Sequence, residues 1–219
     1  MSFTGMSTLT LYTYHRNSAG QRVRIVMNLK GLSYAYVSVP ALPEEEYHAV
    51  NPQGLMPALA VDGTVVAQSL AIIELLEELH PKPSVFPRDP LRRAQTRSFA
   101  GLICSDLHPI NNNRVRKYLE RTIGASGEQI QAWYHHWVGI TFTSLEAMLV
   151  QRPKPWRFCF DDKPTVADAC LVPQMDNARR FACDLAPYPT LARIDAECRT
   201  LPAFQQAAAA NQPDYQGAP

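Results

Sequence analysis

The sequence predicts an α+β protein of two domains, in which a small domain of strands and helices precedes an all-helical domain. Strand and helix periodicities alternate along residues 8–81, and four prolines fall within residues 81–90. Beyond residue 90 no convincing strand pattern occurs. We therefore expect a mixed domain at residues 8–81, a linker at 82–90 and an all-helical domain at 91–211.

The first domain has the pattern βαβ, then a connection, then ββα. Alternation of apolar and polar residues predicts its strands, helical spacing of apolar residues predicts its helices, and Gly31 is a typical helix stop. Asp62 and Gly63 predict a tight hairpin turn. The expected elements, in order, are a strand at 9–14, a helix at 20–30, strands at 34–39, 57–61 and 64–67, and a helix at 69–80.

The second domain is predicted to consist of helices at about residues 91–119, 128–150, 165–182, 190–199 and 202–210. Pro109 is expected to kink the first of these helices. Thr165 followed by Asp168 is a capping-box pattern, so Asp168 is expected to act in folding at the start of a core helix. Residues 212–219 are expected to fray.

Composition and charge argue against several classes of protein. The 219 residues are 46% hydrophobic and carry a formal net charge of +1, which gives no bulk attraction to nucleic acid or anionic membranes. No apolar run reaches the length of a membrane-spanning helix. The first residues lack the regions of a signal peptide, and Met6 offers an alternative start. The five cysteines include no C-x-x-C pair, which disfavours a metal site or disulfides and favours reduced thiols in the cytoplasm.

Several motifs occur together in a recognisable order. They are the stretch 14–24, Met56-Pro57-Ala58-Leu59, Gln68-Ser69-Leu70-Ala71, and His108-Pro109-Ile110-Asn111-Asn112. In this order and spacing the chain resembles the zeta class of the glutathione transferase superfamily, which contains maleylacetoacetate isomerases and bacterial maleylpyruvate isomerases. The motif at 108–112 with Arg114 is more similar to the maleylpyruvate members.

The resemblance implies a two-domain glutathione transferase fold, with a thioredoxin-like βαβββα domain that binds glutathione and an all-helical domain that binds the substrate. It also implies a glutathione-dependent cis–trans isomerase of a maleyl diacid in aromatic catabolism, and a homodimer. Two alternatives remain open: a transferase that conjugates or dehalogenates with the same site, and a glutathione-binding module without catalysis. The substrate would be a small dianion.

The resemblance assigns the glutathione site residue by residue. Ser18 would activate the thiol, although as a residue at a helix start it could instead serve only as a cap. Gln68 and Ser69 would hold the γ-glutamyl end, with Ser69 also capping its helix. Met56 would pair its backbone with the cysteinyl part, before a cis peptide bond to Pro57. The remaining glutathione contacts would be Gln53, His108 and Asn112.

Arginines are expected to select the electrophile, because guanidinium groups bind carboxylates bidentately and stay charged. By the same resemblance Arg16, Arg114 and Arg180 would bind the substrate, and Arg16 and Arg180 would take part in catalysis. Arg22 and Arg24 are expected to be structural or solvated. The class usually carries Ser-Ser-Cys at the active-site loop, where this chain has Asn17-Ser18-Ala19. The loop at 40–50 is also shorter than usual for the class.

Overall fold

The computed structural model of this chain describes residues 8–217, so the alternative start at Met6 lies outside the described residues. The chain divides into two compact units. The first consists of the described residues up to Val85 together with those from Thr200 onwards, and the second runs from Phe86 to Arg199.

One four-stranded sheet forms the centre of the first unit. Its strands are β1 (Leu9–Thr13), β2 (Ala35–Ser38), β3 (Ala58–Val61) and β4 (Thr64–Ala67). The strand order is β2-β1-β3-β4; β1 is parallel to β2, and β3 is antiparallel to both of its neighbours. Leu11 and Leu59 face each other across β1 and β3 and are fully buried. The predicted βαβ and ββα pattern is therefore confirmed.

The helices of the first unit are α1 (Ser18–Leu29), α2 (Glu44–Val50), α3 (Ser69–Leu79) and α10 (Pro202–Ala207). Helix α1 packs against both α3 and α10. The side-chain amide of Asn28 in α1 donates to the Ala203 carbonyl of α10 at 3.0 Å. The sequence placed residues 202–210 with the helical domain, whereas α10 is part of the first unit because its contacts are with α1.

A buried ion pair joins α1 to α3 and to the proline-rich segment that follows. Lys30 Nζ lies 2.6 Å from a carboxylate oxygen of Glu77, and it also donates to the carbonyls of His80 and Pro83 at 2.7 and 2.9 Å. All three donors of the ammonium group are thus used. This arrangement fixes the C-terminal end of α3.

The second unit contains α4 (Pro90–Gly101), α5 (His108–Ile110), α6 (Asn113–Tyr118), α7 (Gly127–Val150), α8 (Val166–Arg180) and α9 (Pro189–Arg199). A π-helical stretch, Leu102–Leu107, joins α4 to α5. The expected long helix is interrupted at Asn111 and Asn112, because Asn112 caps a new helix, α6. Among residues 8–217, none of the helices has the length and hydropathy that crossing a membrane would need.

Helix α8 begins at the predicted capping box. Asp168 is completely buried, and its carboxylate accepts hydrogen bonds from the backbone N–H and hydroxyl of Thr165 at 2.7 and 2.8 Å and from the Cys159 N–H at 2.8 Å. The structure thus gives Asp168 the folding role that the sequence indicated. None of the five cysteines, all of which lie within the described residues, forms a disulfide.

Candidate functional site

The hydroxyl of Ser18, beside the turn between β1 and α1, does not contribute to holding the fold together. Asn17, not Ser18, occupies the cap position of α1, and its side-chain oxygen accepts from the Gly20 N–H. Ser18 is the first helical residue, is 8% exposed, and makes no hydrogen bond through its hydroxyl within residues 8–217. The cap-only interpretation of Ser18 is therefore wrong, and its O–H is available to a ligand.

Close packing of α1 on β1 determines where this turn lies. A Cβ on Gly20 would stand 2.0 Å from Thr13 Oγ1 and 2.6 Å from the side-chain oxygen of Asn17, so only glycine fits there. Thr13 is fully buried at the end of β1. The start of α1, with Ser18, is thereby held directly beside the C-terminal end of β1.

Arg24 fixes the backbone of the same turn from below. Its guanidinium is fully buried and donates to the carbonyls of Tyr14, His15 and Ala207 at 3.1 to 3.3 Å. Burial lowers the pKa of Arg24 from its ordinary value. The structural interpretation of Arg24 is therefore confirmed. Arg16 lies in this turn, and its guanidinium has no hydrogen-bond or ionic partner within residues 8–217.

The C-terminal segment also holds the turn, which corrects the expectation that residues from 212 onwards fray. The carboxylate of Asp214 accepts from the hydroxyls of Tyr36 and Ser38, each at 2.7 Å, and from the His15 N–H at 3.2 Å. Burial opposes the ionisation of Asp214, but the hydrogen bonds from Ser38, Tyr36 and His15 together outweigh it and lower its pKa. Residues 218 and 219 lie outside the described residues.

We expect Asp214→Asn to destabilise the protein at pH 7 by about 1–3 kcal/mol, because a charged acceptor of three hydrogen bonds becomes neutral. The lowered pKa means that this contribution is present above the unfolded-state pKa of about 4 and is lost as the pH falls through the folded-state value. Urea unfolding of the wild type and of Asp214→Asn at pH 7 and pH 3 measures the destabilisation and its pH dependence. A stability difference between the two proteins that is as large at pH 3 as at pH 7 would contradict the assignment.

The predicted glutathione residues of the first unit meet around the N-terminal end of α3. Gln68 Nε2 donates to Gln53 Oε1 at 2.9 Å. The Met56–Pro57 peptide bond is cis, as the resemblance implied. The backbone N–H and C=O of Met56 have no hydrogen bond within residues 8–217, so an extended ligand can pair with them.

Ser69 does not cap α3, in contrast to the expectation. Gln68 occupies the cap position, with φ of 72° and no side-chain hydrogen bond to the helix end. A left-handed backbone at a residue other than glycine costs about 1–3 kcal/mol and is typical of binding sites. The hydroxyl of Ser69 instead accepts a hydrogen bond from Arg22 Nη1 at 3.3 Å. The N–H groups at the start of α3 thus remain available to an anion.

Arg22 fits the structural rather than the solvated alternative, but the sequence analysis did not predict its contact with Ser69. It is 1% exposed and not solvated, and it reaches Ser69 from α1. Helical spacing gave no signal for it, because residues 18–27 of α1 are buried on every face and apolar periodicity cannot select one of them.

In the second unit, His108 and Asn112 do not share one helical face, in contrast to their four-residue spacing. His108 begins α5, whereas Asn112 caps α6, where its side-chain oxygen accepts from the Arg114 N–H at 3.1 Å. The side chain of Arg114 is exposed, near the start of α6. Both Asn112 and Arg114 are therefore placed by the break in the long helix.

The two arginines at the end of α8 have different environments. Arg179 forms an ion pair with the buried carboxylate of Asp195. Arg180 donates to the side-chain oxygen of Asn177 at 3.2 Å and lies 4.9 Å from the centre of the Phe181 ring. Arg180 has no carboxylate partner within residues 8–217, which agrees with its selection over Arg179 for substrate binding.

A second arginine, which the sequence analysis missed, faces the same ring. The guanidinium of Arg116 lies 4.5 Å from the centre of Phe181, and its Nε is buried without a hydrogen-bond partner. Burial lowers the pKa of Arg116, and the charge of Arg180 lowers it further, while Tyr134 opposes the shift. Two cations on one aromatic ring without a paired carboxylate form an environment that favours an anion.

Comparison with known proteins identifies the family of this chain. Residues 18–79 match the family described as glutathione S-transferase, N-terminal domain. A maleylpyruvate isomerase from a Ralstonia species is 45% identical over 210 residues, which cover 94% of this chain and 99% of that protein. The structure of a bacterial zeta-class maleylpyruvate isomerase is 44% identical with a TM-score of 0.90, and the match covers 94% of this chain and 99% of the other.

A further solved structure is that of a maleylacetoacetate isomerase from Anaeromyxobacter dehalogenans 2CP-1, with dicarboxyethyl glutathione and citrate bound in its active site. It is 40% identical with a TM-score of 0.84, and the match covers 95% of this chain and 97% of the other. The fold is that of the glutathione S-transferases. Within them, this chain belongs to the zeta-class family of maleylpyruvate and maleylacetoacetate isomerases.

Proposed function

We propose that this protein is a glutathione-dependent cis–trans isomerase of a maleyl diacid such as maleylpyruvate or maleylacetoacetate. The observation that carries the proposal is the 45% identity to a maleylpyruvate isomerase, which extends over 94% of this chain. The arrangement of the first unit supports binding of glutathione, and the arginines support binding of a dianionic substrate.

The residues of the first unit fit glutathione in three respects. Met56 offers an unpaired backbone N–H and C=O to a peptide. The start of α3 offers N–H groups and the Ser69 hydroxyl to a carboxylate, with two orphaned guanidinium nitrogens of Arg22 behind them. Ser18 offers a free hydroxyl. We assign Gln53, Met56, Pro57, Gln68 and Ser69, together with His108 and Asn112 of the second unit, to glutathione.

When bound, glutathione supplies a thiolate nucleophile that can add reversibly to the double bond of the diacid and so permit rotation about it. A free thiol has a pKa of about 8.5 and is mostly protonated at neutral pH. A hydrogen bond donated by Ser18 at the N-terminal end of α1 favours the anion, and a pKa lowered by about 2 units corresponds to roughly 2.7 kcal/mol. Ala19, in place of the usual cysteine, does not exclude this activity.

We assign Arg16, Arg114 and Arg180 to the substrate, in which negative charge develops on the conjugated carbonyl during the reaction. Guanidinium groups aimed at that charge stabilise it more in the transition state than in the ground state. Arg16 and Arg180 fit this role because neither has a carboxylate partner within residues 8–217. Their positive charge is therefore not already neutralised by the protein.

An absorbance assay tests the proposal by following maleylpyruvate and maleylacetoacetate, each with and without glutathione. We expect conversion to the fumaryl isomer only with glutathione, and no net consumption of glutathione. A stable thioether product would instead indicate a conjugating transferase. Binding of glutathione without turnover of either diacid would support the non-catalytic module and contradict the isomerase.

We also infer that the protein works as a cytoplasmic homodimer. The resemblance to the zeta class supports the dimer, and five cysteines without a disulfide among residues 8–217 agree with a reducing compartment. Light scattering on the purified protein tests the dimer, with an expected mass of twice that of the chain.

A further inference from the structure

The first unit holds three buried cations, and two of them are fully paired by the protein. Lys30 contacts the carboxylate of Glu77 and two carbonyl groups. Arg24 donates to three carbonyl groups and lies near the Thr13 hydroxyl. Arg22 is the exception: only Nη1 has a partner, while Nε and Nη2 are buried without one.

An unneutralised charge in the protein interior is unfavourable unless a counter-charge or hydrogen-bond acceptors compensate for it. Arg22 is 1% exposed, so water supplies little compensation. No carboxylate within residues 8–217 forms an ion pair with it. The anion that would compensate for this charge is therefore expected to come from a ligand.

The position of Arg22 indicates where that anion binds. Its Nη1 donates to the hydroxyl oxygen of Ser69, the first residue of α3. Because Ser69 accepts from the guanidinium, its own hydrogen is free to be donated outwards. The unsatisfied N–H groups at the start of this eleven-residue helix point to the same place, and no side chain caps them.

We propose that Arg22 is a positioning residue for glutathione, and that its buried charge is the counter-charge of the γ-glutamyl α-carboxylate, acting through the Ser69 hydroxyl. The inference rests on the proposed function, since it requires that glutathione binds at Ser69. It predicts that Arg22 contributes to affinity for that carboxylate in particular and leaves recognition of the rest of the tripeptide unchanged.

Calorimetric titration of two ligands on two proteins tests this selectivity. The ligands are glutathione and 4-aminobutanoyl-cysteinyl-glycine, which lacks only the α-carboxylate of the γ-glutamyl group. The proteins are the wild type and Arg22→Met, which keeps an unbranched side chain and removes the guanidinium with its charge. We expect the substitution to weaken the binding of glutathione about 10- to 100-fold, which is the range for a charged hydrogen bond. Binding of the analogue should weaken less than about 3-fold.

Controls separate this role from a loss of structure. Arg88→Met removes the same charge from an exposed position and should change neither affinity. Arg22→Lys restores a cation without the guanidinium fork, and should bind glutathione with an affinity between those of Arg22→Met and the wild type. If Arg22→Met does not fold, Arg22→Lys and Arg22→Gln take its place in the same comparison, and selective weakening of glutathione remains the expected result.

The outcomes discriminate between the two proposals. If Arg22→Met weakens the binding of both ligands equally, or of neither, the role of Arg22 is overturned. The proposed function then still stands, provided that the wild type binds glutathione. Wild-type protein that binds neither ligand would overturn both. In the Ser69→Ala background, the effect of Arg22→Met on glutathione should largely vanish if Arg22 acts through that hydroxyl.

Discussion

Arg24→Met is expected to destabilise the protein by about 3–5 kcal/mol, because it removes the guanidinium donor from the buried Ala207 contact and from the part-buried contacts to the carbonyls of Tyr14 and His15. The carbonyls of Tyr14, His15 and Ala207 all accept hydrogen bonds from this guanidinium. Because the side chain is fully buried, water does not take its place as a donor. Methionine is an unbranched side chain that donates no hydrogen bond. Urea unfolding followed by circular dichroism measures the loss.

The same substitution should also release the turn that carries Arg16 and precedes Ser18. We expect faster amide exchange of residues 14–17 and of α10, while α7 and α8 of the second unit stay protected. Arg88→Met, on the surface, is the control for charge and should shift the unfolding midpoint very little. A destabilisation by Arg24→Met of less than about 1 kcal/mol would contradict the role assigned to its hydrogen bonds.

Arg180→Met is expected to lower kcat/KM for the maleyl diacid about 10²- to 10³-fold, the range for loss of one preorganised group that stabilises developing charge. Glutathione affinity should not change, because Arg180 is assigned to the diacid and not to the tripeptide. Steady-state kinetics with glutathione saturating, together with calorimetric titration of glutathione, separate the two effects.

The neighbouring residue provides a matched control for this experiment. Arg179 forms an ion pair with the carboxylate of Asp195, which is 1% exposed. Arg179→Met should therefore reduce stability, by leaving a buried carboxylate with one partner fewer, and should leave kcat/KM within about 3-fold of the wild type. Arg180→Met protein that keeps more than half of the wild-type kcat/KM would contradict the assignment of Arg180.

Local patterns in the sequence were reliable where a single element carries the signal. The sequence signals for the strands of the first unit, for the Asp62–Gly63 turn and for the capping box at Thr165 and Asp168 each lie within a few residues, and the structure confirms these elements. The prediction of one long helix after the linker was wrong in one place, because Asn112 provides a cap that starts a new helix. Helical periodicity on both sides of that break hides it.

Side-chain roles inside one helix were harder to predict. Arg22 and Arg24 lie two residues apart in α1 and are both buried, yet Arg24 satisfies carbonyls of the turn and of α10 whereas Arg22 reaches Ser69 of α3. Likewise Asn17 rather than Ser18 caps α1, and Gln68 rather than Ser69 holds the cap position of α3. A shift of one residue at a helix start decides which hydroxyl is free.

The sequence by itself determined the family, the order of strands and helices, and the residue types available for a peptide thiol and a dianion. Short-range periodicity and the ordered motifs are sufficient for these, because they depend on neighbours in the chain. Only the tertiary structure decided which polar groups are already satisfied by the protein. That property depends on partners such as Ala207, Glu77 and Asp214, which lie 47 to 199 residues along the chain from the groups they contact.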